Sequence, residues 1–205
     1  MGEIAKVLKE VVEKNVDGVE LELVIGAGSF GNLDSLTNTT ADFAIIENHM
    51  PFTEAVNSLF PLYPQILHIF YKSDSTITDF KELIYGKRVF IGVPGSGTYR
   101  FMKELFVFFE VDESKTTITE NPWDNDVFCG FTDIIKPEYL SGFDGMHLYS
   151  FDDMSAFGKG SVAEGIAMRY PQVKPFVIPV KTYGALSESP ILTMATDAVL
   201  VSRAD

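Results

Sequence analysis

A single cysteine, Cys129, stands in this chain of 205 residues, so no internal disulfide can form and a cysteine-built metal site is excluded. Flanked by Phe128 and Gly130, the lone thiol reads as a small core residue rather than a nucleophile. Histidine is nearly as scarce. His49, His68 and His147 lie far apart, with no helix-spaced pair of the kind that grips a metal. His68 falls inside the apolar run 66–71 and reads as a satisfied strand residue. Basic residues are also few, 16 against 29 acidic, for a formal net charge of −13. That balance argues against nucleic acid or an anionic membrane surface as partner, since both need a basic face. No apolar run approaches the length that crosses a bilayer, so membrane insertion is not expected. The opening residues Met1-Gly2-Glu3-Ile4-Ala5-Lys6 lack the apolar core of a signal peptide.

What the chain does have is core-forming material: 46% hydrophobic and 13% aromatic residues, enough for one α/β domain or two small lobes. Its most informative stretch runs from Lys87 to Arg100 and contains Gly92-Val93-Pro94-Gly95-Ser96-Gly97-Thr98. This reads as a short strand, a glycine-rich turn, and a helix over residues 98–109. Such a junction aims unpaired backbone N–H groups above the sheet, and the helix dipole adds positive charge there. Ser96 and Thr98 bring hydroxyls to the same point, and either can cap the helix. A carboxylate or phosphate suits the place, with Arg100 close by as a local positive end. The spacing from Gly92 to Thr98 comes within one residue of a P-loop, but the lysine expected between Gly97 and Thr98 is absent. The dinucleotide fingerprint fails on glycine spacing, so no nucleotide cofactor is expected. A plain connecting turn is the alternative. Thr98→Val is expected to weaken anion binding with the fold nearly intact, Thr98 being placed in a partly exposed turn. A β-branched residue at Gly97 is expected to harm binding and stability if that position needs positive φ.

Along the chain, helical spacing over residues 3–14 puts Ile4, Val7, Leu8, Val11 and Val12 on one face. Residues 19–25 read as a strand stopped by Gly26-Ala27-Gly28, followed by a short helix at 32–36 and a buried strand at 41–46. That β-α-β order predicts a parallel sheet. A helix-sized stretch after Pro51-Phe52 leads to the strand-like run 66–72. After the polar break at residues 73–76 the pattern restarts with a helix at 77–84, strand 88–93, helix 98–109 and strand 116–119. Phe106, Phe108 and Phe109 are expected in the core. Residues 121–159 are rich in glycine and aspartate and weakly periodic; a helix at 161–169 and strands at 176–180 and 198–201 close the chain. Two such halves suggest lobes facing a cleft, where the turns at 26–31, Glu47-Asn48 and 95–98 converge.

Four blocks in register carry a specific resemblance: Thr40-Ala41-Asp42-Phe43-Ala44-Ile45-Ile46; Leu62-Tyr63-Pro64-Gln65-Ile66-Leu67-His68-Ile69; the stretch from Gly86 to Thr98; and Lys181-Thr182-Tyr183-Gly184 with the tail 198–205. Together they resemble the TAXI branch of TRAP-transporter solute receptors, over nearly the whole chain. The resemblance implies an α/β fold of the type II periplasmic-binding-protein kind: two lobes of mixed, mainly parallel sheets flanked by helices. Residues 1–74 and 183–205 would form one lobe and 75–182 the other. It implies a clamp in the periplasm or otherwise outside the cytoplasm, which closes on a small anionic metabolite, an amino acid or organic acid such as glutamate, and delivers it to TRAP permease subunits. Contacts to that ligand would fall on Ser29, Glu47, Asn48, Ser96, Gly97, Thr98 and Tyr183, with Glu47 receiving an amino group or standing as a solvated loop residue. The family's opening strand and C-terminal helices have no counterpart here, and residues 122–152 match poorly.

Two other functions compete. A sensory domain can keep the same clamp and report occupancy to a partner. An enzyme needs a positioned base, nucleophile or metal. Asp126, Asp133, Asp144 and Asp152 cluster among the chain's acidic residues, and their glycine-rich surroundings read as solvated loops rather than a catalytic pair. No catalysis is expected.

Overall fold

The computed structural model describes residues 2–26, 28–152 and 160–204; Ala27 of the first glycine turn, residues 153–159 of the acidic region, and Met1 and Asp205 lie outside it. Fourteen helices and strands follow in the order α1 (Gly2–Asn15), α2 (Ser29–Thr37), β1 (Phe43–Glu47), β2 (Val56–Tyr71), α3 (Phe80–Ile84), β3 (Arg88–Phe90), α4 (Gly97–Phe108), β4 (Thr117–Ile118), β5 (Val127–Thr132), α5 (Pro137–Leu140), β6 (His147–Leu148), α6 (Val162–Arg169), β7 (Lys174–Ile178) and β8 (Ile191–Arg203).

The architecture is α/β, a mixed sheet flanked by helices. Its strand order is β1-β8-β2-β5-β3-β4, with β6 beside β2 and β7 beside β8. The expectation of mainly parallel sheets is corrected here. Only β3 runs parallel to its neighbours β4 and β5, while the pairings of β8 and of β2 are all antiparallel. The β-α-β unit read from residues 19–46 does not form, because residues 19–25 make no strand, and β8, from the far end of the chain, pairs antiparallel with both β1 and β2.

Three further differences have local causes. Residues 19–25 form no strand: Val24 and Ile25 are 74% and 99% exposed, and Leu21 is held by Glu13 and Lys9 of α1 instead of a ladder. Strand propensity without a partner strand does not make a strand. The helix expected after Pro51 is absent, because β2 begins at Val56. Pro61 and Pro64 would break a helix interior; in β2 they fall at and just beyond the register shifts against β8. Finally, β5 lies in the stretch that read as loops. Its alternating burial turns Val127, Cys129 and Phe131 inward. Cys129 is fully buried, and burial pushes its thiol well above the ordinary range.

Burial divides into three clusters. On one face of β2, β3 and β5, Leu67, Ile69, Val89 and Cys129 pack under Phe101, Leu105 and Phe106 of α4 and Ile166 of α6. Phe108 and Phe109 border that cluster half-buried. The other face of the same strands carries Ile66, Phe70, Ile178 and Tyr183. A separate cluster of Leu33, Leu36, Ile46, Val56, Val199 and Val201 sits under α2. The clusters divide along β2 and β8 themselves, near Gln65 and Thr196, and not at the polar break 73–76.

Candidate functional site

The glycine turn forms as its sequence demands. Gly92 and Gly95 hold φ of +90° and +86°, a region that favours glycine. A Cβ on Gly92 would also stand 2.7 Å from Ser96 Oγ and 2.9 Å from Thr98 Cβ. Ser96 is the N-cap of α4, its Oγ accepting from Tyr99 N–H at 3.1 Å. Among the described residues, the N–H groups of Gly97 and Thr98 meet no acceptor, as expected for the first turn of a helix.

Three elements meet at this point. Ser29, the first residue of α2, donates its hydroxyl to Glu47 Oε2 and accepts from Glu47 N–H at 3.2 Å. Glu47 closes β1 and lies against Gly97, where a Cβ would come within 2.7 Å of Glu47 Cδ and 2.8 Å of Oε2. His49 Nε2 donates to the Gly97 carbonyl at 2.9 Å. Ser29, Glu47, His49, Gly97 and Thr98 are all buried. Gly97 and Thr98 therefore face Glu47 and His49 and are shielded from bulk water, while Val93 and Pro94 are exposed and Gly95 and Ser96 half-buried. Gly97 does not have positive φ; what it requires is room for these two side chains.

Electrostatics at the cluster follow from burial. Desolvation pushes the Glu47 carboxyl above its usual range, and no cation pairs with it among the described residues. Desolvation lowers His49 to about 4, with the charge of Arg100 pushing the same way. Its Nδ1 has no hydrogen-bond partner. Burial, with the charges of Asp133 and Glu47 adding to it, raises the Tyr63 hydroxyl.

The other residues singled out from sequence are placed differently. Asn48 is half-buried beside Glu47 and donates its backbone N–H to Asp197 O at 2.8 Å. Thr98 is buried rather than partly exposed, and its Oγ1 accepts from Phe131 N–H of β5 at 2.9 Å. Thr98→Val is therefore expected to destabilise the fold by about 1–3 kcal/mol, because it strands a buried N–H. Chemical denaturation of the variant checks this. Tyr183 is not brought to the turn by any described contact. It lies in the cluster on the far face of the sheet, its hydroxyl 2.7 Å from His68 Nε2 and accepting from Ile135 N–H at 3.4 Å. His68 is satisfied only at Nε2, since its buried Nδ1 is unpartnered. His49 was missed from sequence because an isolated side chain carries no spacing signal. Among the described residues, no three metal-ligating side chains gather.

Residues 2–127 match the NMT1-like family. The chain belongs to that family. No curated protein matches it in sequence. In architecture it is similar to the effector-binding domain of QuiR in complex with shikimate, with 10% identity over 98% of this chain and 81% of that one, at a TM-score of 0.56. It is similar also to the Candida albicans CA3427 gene product, described as exhibiting the generic periplasmic-binding-protein fold: 15% identity over 98% of this chain and 58% of that one, TM-score 0.54. A third likeness is to the substrate-binding protein of an amino acid ABC transporter, with 14% identity over 98% and 71%, TM-score 0.50. The fold of this NMT1-like chain is thus that of periplasmic binding proteins, which serves both a transport receptor and a regulatory effector domain in these neighbours. No described helix is long and apolar enough to cross a membrane.

Proposed function

We propose that this NMT1-like domain is a solute-binding clamp that holds a small carboxylate-bearing metabolite, an amino acid or an organic acid such as glutamate, where α2 and β1 meet the turn before α4. The observation that supports it is the convergence of Ser29, Glu47 and His49 on a helix N-terminus whose Gly97 and Thr98 amides have no acceptor among the described residues. An amino acid suits the place on both counts: its carboxylate takes the amides, and its ammonium group takes Glu47. Glu47 and His49 lie against Gly97, so they would have to withdraw from it to admit a guest. The elements around the smaller cluster and those around the two larger ones would be the two jaws, hinged on β2 and β8. Ser96 serves as the cap that fixes the turn, and Asn48 would act from its margin, while Tyr183 takes no part.

The sequence blocks shared with TAXI receptors support a further step, delivery to TRAP permease subunits from an extracytoplasmic location. The likeness to the QuiR effector domain supports a sensing role on the same clamp. Thermal unfolding against a panel of amino acids and dicarboxylates tests the common claim. A binder at a hundredfold excess over its Kd adds about 2.7 kcal/mol, or roughly 5–10 °C in a domain of this size. A melting temperature that no carboxylate raises would overturn the proposal.

A further inference from the structure

On the outer flank of α4, away from the buried cluster, an open groove of about 580 Å³ runs from the first turn of α2 to the residue that ends α6. Its walls are mainly apolar and aromatic, formed by Phe30, Tyr99, Val107 and Tyr170. Val107 is 62% exposed, on a helix whose core side is already supplied by Phe101, Met102, Leu105 and Phe106. It therefore contributes nothing to the fold's interior. Arg100 also lines the groove. Its Nε donates to Glu104 Oε1 at 3.1 Å, and among the described residues its two terminal amino groups meet no acceptor. Glu104 is thereby paired, and the neighbouring Lys103 is paired with Glu113. Although Glu104 balances its charge, the guanidinium of Arg100 keeps its terminal N–H donors open between aromatic walls. Planar guanidinium presents paired donors matched to the two oxygens of a carboxylate.

We infer that this groove binds a small aromatic monocarboxylate, its acid group on the terminal amino groups of Arg100 and its ring against Phe30, Tyr99 and Tyr170. The volume falls within the usual range for small-molecule sites and leaves room for a fused two-ring compound. Aromatic walls favour a flat ring through stacked or edge-on contacts, whereas an aliphatic acid gains less from them. The groove adjoins the buried cluster at Gly95 and Arg100 but is open where that cluster is buried, and its ligand is set apart from the clamp's by its aromatic ring.

Indole-3-acetate is the probe, titrated into the full chain by calorimetry and followed by amide chemical shifts. Saturable binding is expected, with shifts centred on Tyr99, Val107 and Tyr170. Indole-3-ethanol, which keeps the ring and lacks the charge, and the Arg100→Gln variant are each expected to weaken binding by about tenfold or more, the loss of a charge-assisted pair. Val107→Asp, at an exposed position that leaves folding intact, is expected to abolish it. Binding absent at millimolar probe overturns the inference. So does affinity that Arg100→Gln and Val107→Asp leave unchanged, or a shift pattern centred on Asn48 and Gly97.

Discussion

Gly97→Val is expected to lower the melting temperature by about 4–9 °C, a loss of roughly 2–3 kcal/mol, and to abolish ligand-induced stabilisation. The cause is space. The first atom of any side chain there would stand 2.7 Å from Glu47 Cδ, 2.8 Å from its Oε2 and 2.9 Å from His49 Cε1. Both neighbours are buried, and each is tethered on its other side: Glu47 by Ser29, His49 by ring contacts to Phe101 and Phe131. Neither can yield without breaking a hydrogen bond, either Ser29 to Glu47 or His49 to the Gly97 carbonyl. Gly165→Ala is the control. A Cβ there meets Phe108 at an ordinary 3.5 Å, and alanine suits a helix interior better than glycine, so stability should hold or rise slightly. Equal melting temperatures for wild type and Gly97→Val would show that Glu47 and His49 do not press on the turn.

Acidification should weaken the fold more steeply than a chain with so few histidines leads one to expect. Burial holds His49 and His68 neutral down to about 4, against an ordinary 6.5. Between those values the unfolded chain binds more protons than the folded one, so stability rises with pH across the window and is lost as pH falls from 6.5 toward 4. Each histidine accounts for about 3 kcal/mol over the full window. Glu47 acts in the opposite sense. Its folded value is raised, so its contribution is present at low pH and is lost as pH rises through that value. Two histidines against one carboxyl leave a net loss on acidification. Melting curves from pH 7.5 to 4.5 should fall by 10 °C or more, at about 2–4 °C per kcal/mol. His68→Phe keeps an aromatic ring beside Phe70 and Tyr183 and removes one proton site, so it should flatten the slope by more than half, Glu47 still opposing the histidine that remains. An unchanged slope in that variant would remove His68 from the account.

Much of α4 and its glycine turn was legible because the cues are local: positive-φ glycines, a serine cap, and apolar residues at helical spacing. The first helix read well from its spacing, whereas of β8 only residues 198–201 were read out of Ile191–Arg203. What failed needed distant information. Residues 19–25 have the composition of a strand but no partner, and β5 was hidden because its glycine and polar flanks mask an alternation that matters only between β2 and β3. Parallel order was inferred from a β-α-β unit whose first strand, residues 19–25, does not form. Of the site, Ser29, Glu47, Ser96, Gly97 and Thr98 do gather around one turn. Nothing in the local pattern placed His49 beside them, or kept Tyr183 on the opposite side of the sheet.

The ladder between β2 and β8 has a topological consequence. Ile66 and Ala195 are register partners, and nearly everything in the two larger clusters lies on the chain between them. That long stretch is therefore a detour whose departure and return points are adjacent. Lengthening or trimming its loops leaves both gateposts where they are, so the small cluster under α2 is insulated from changes of length in the detour.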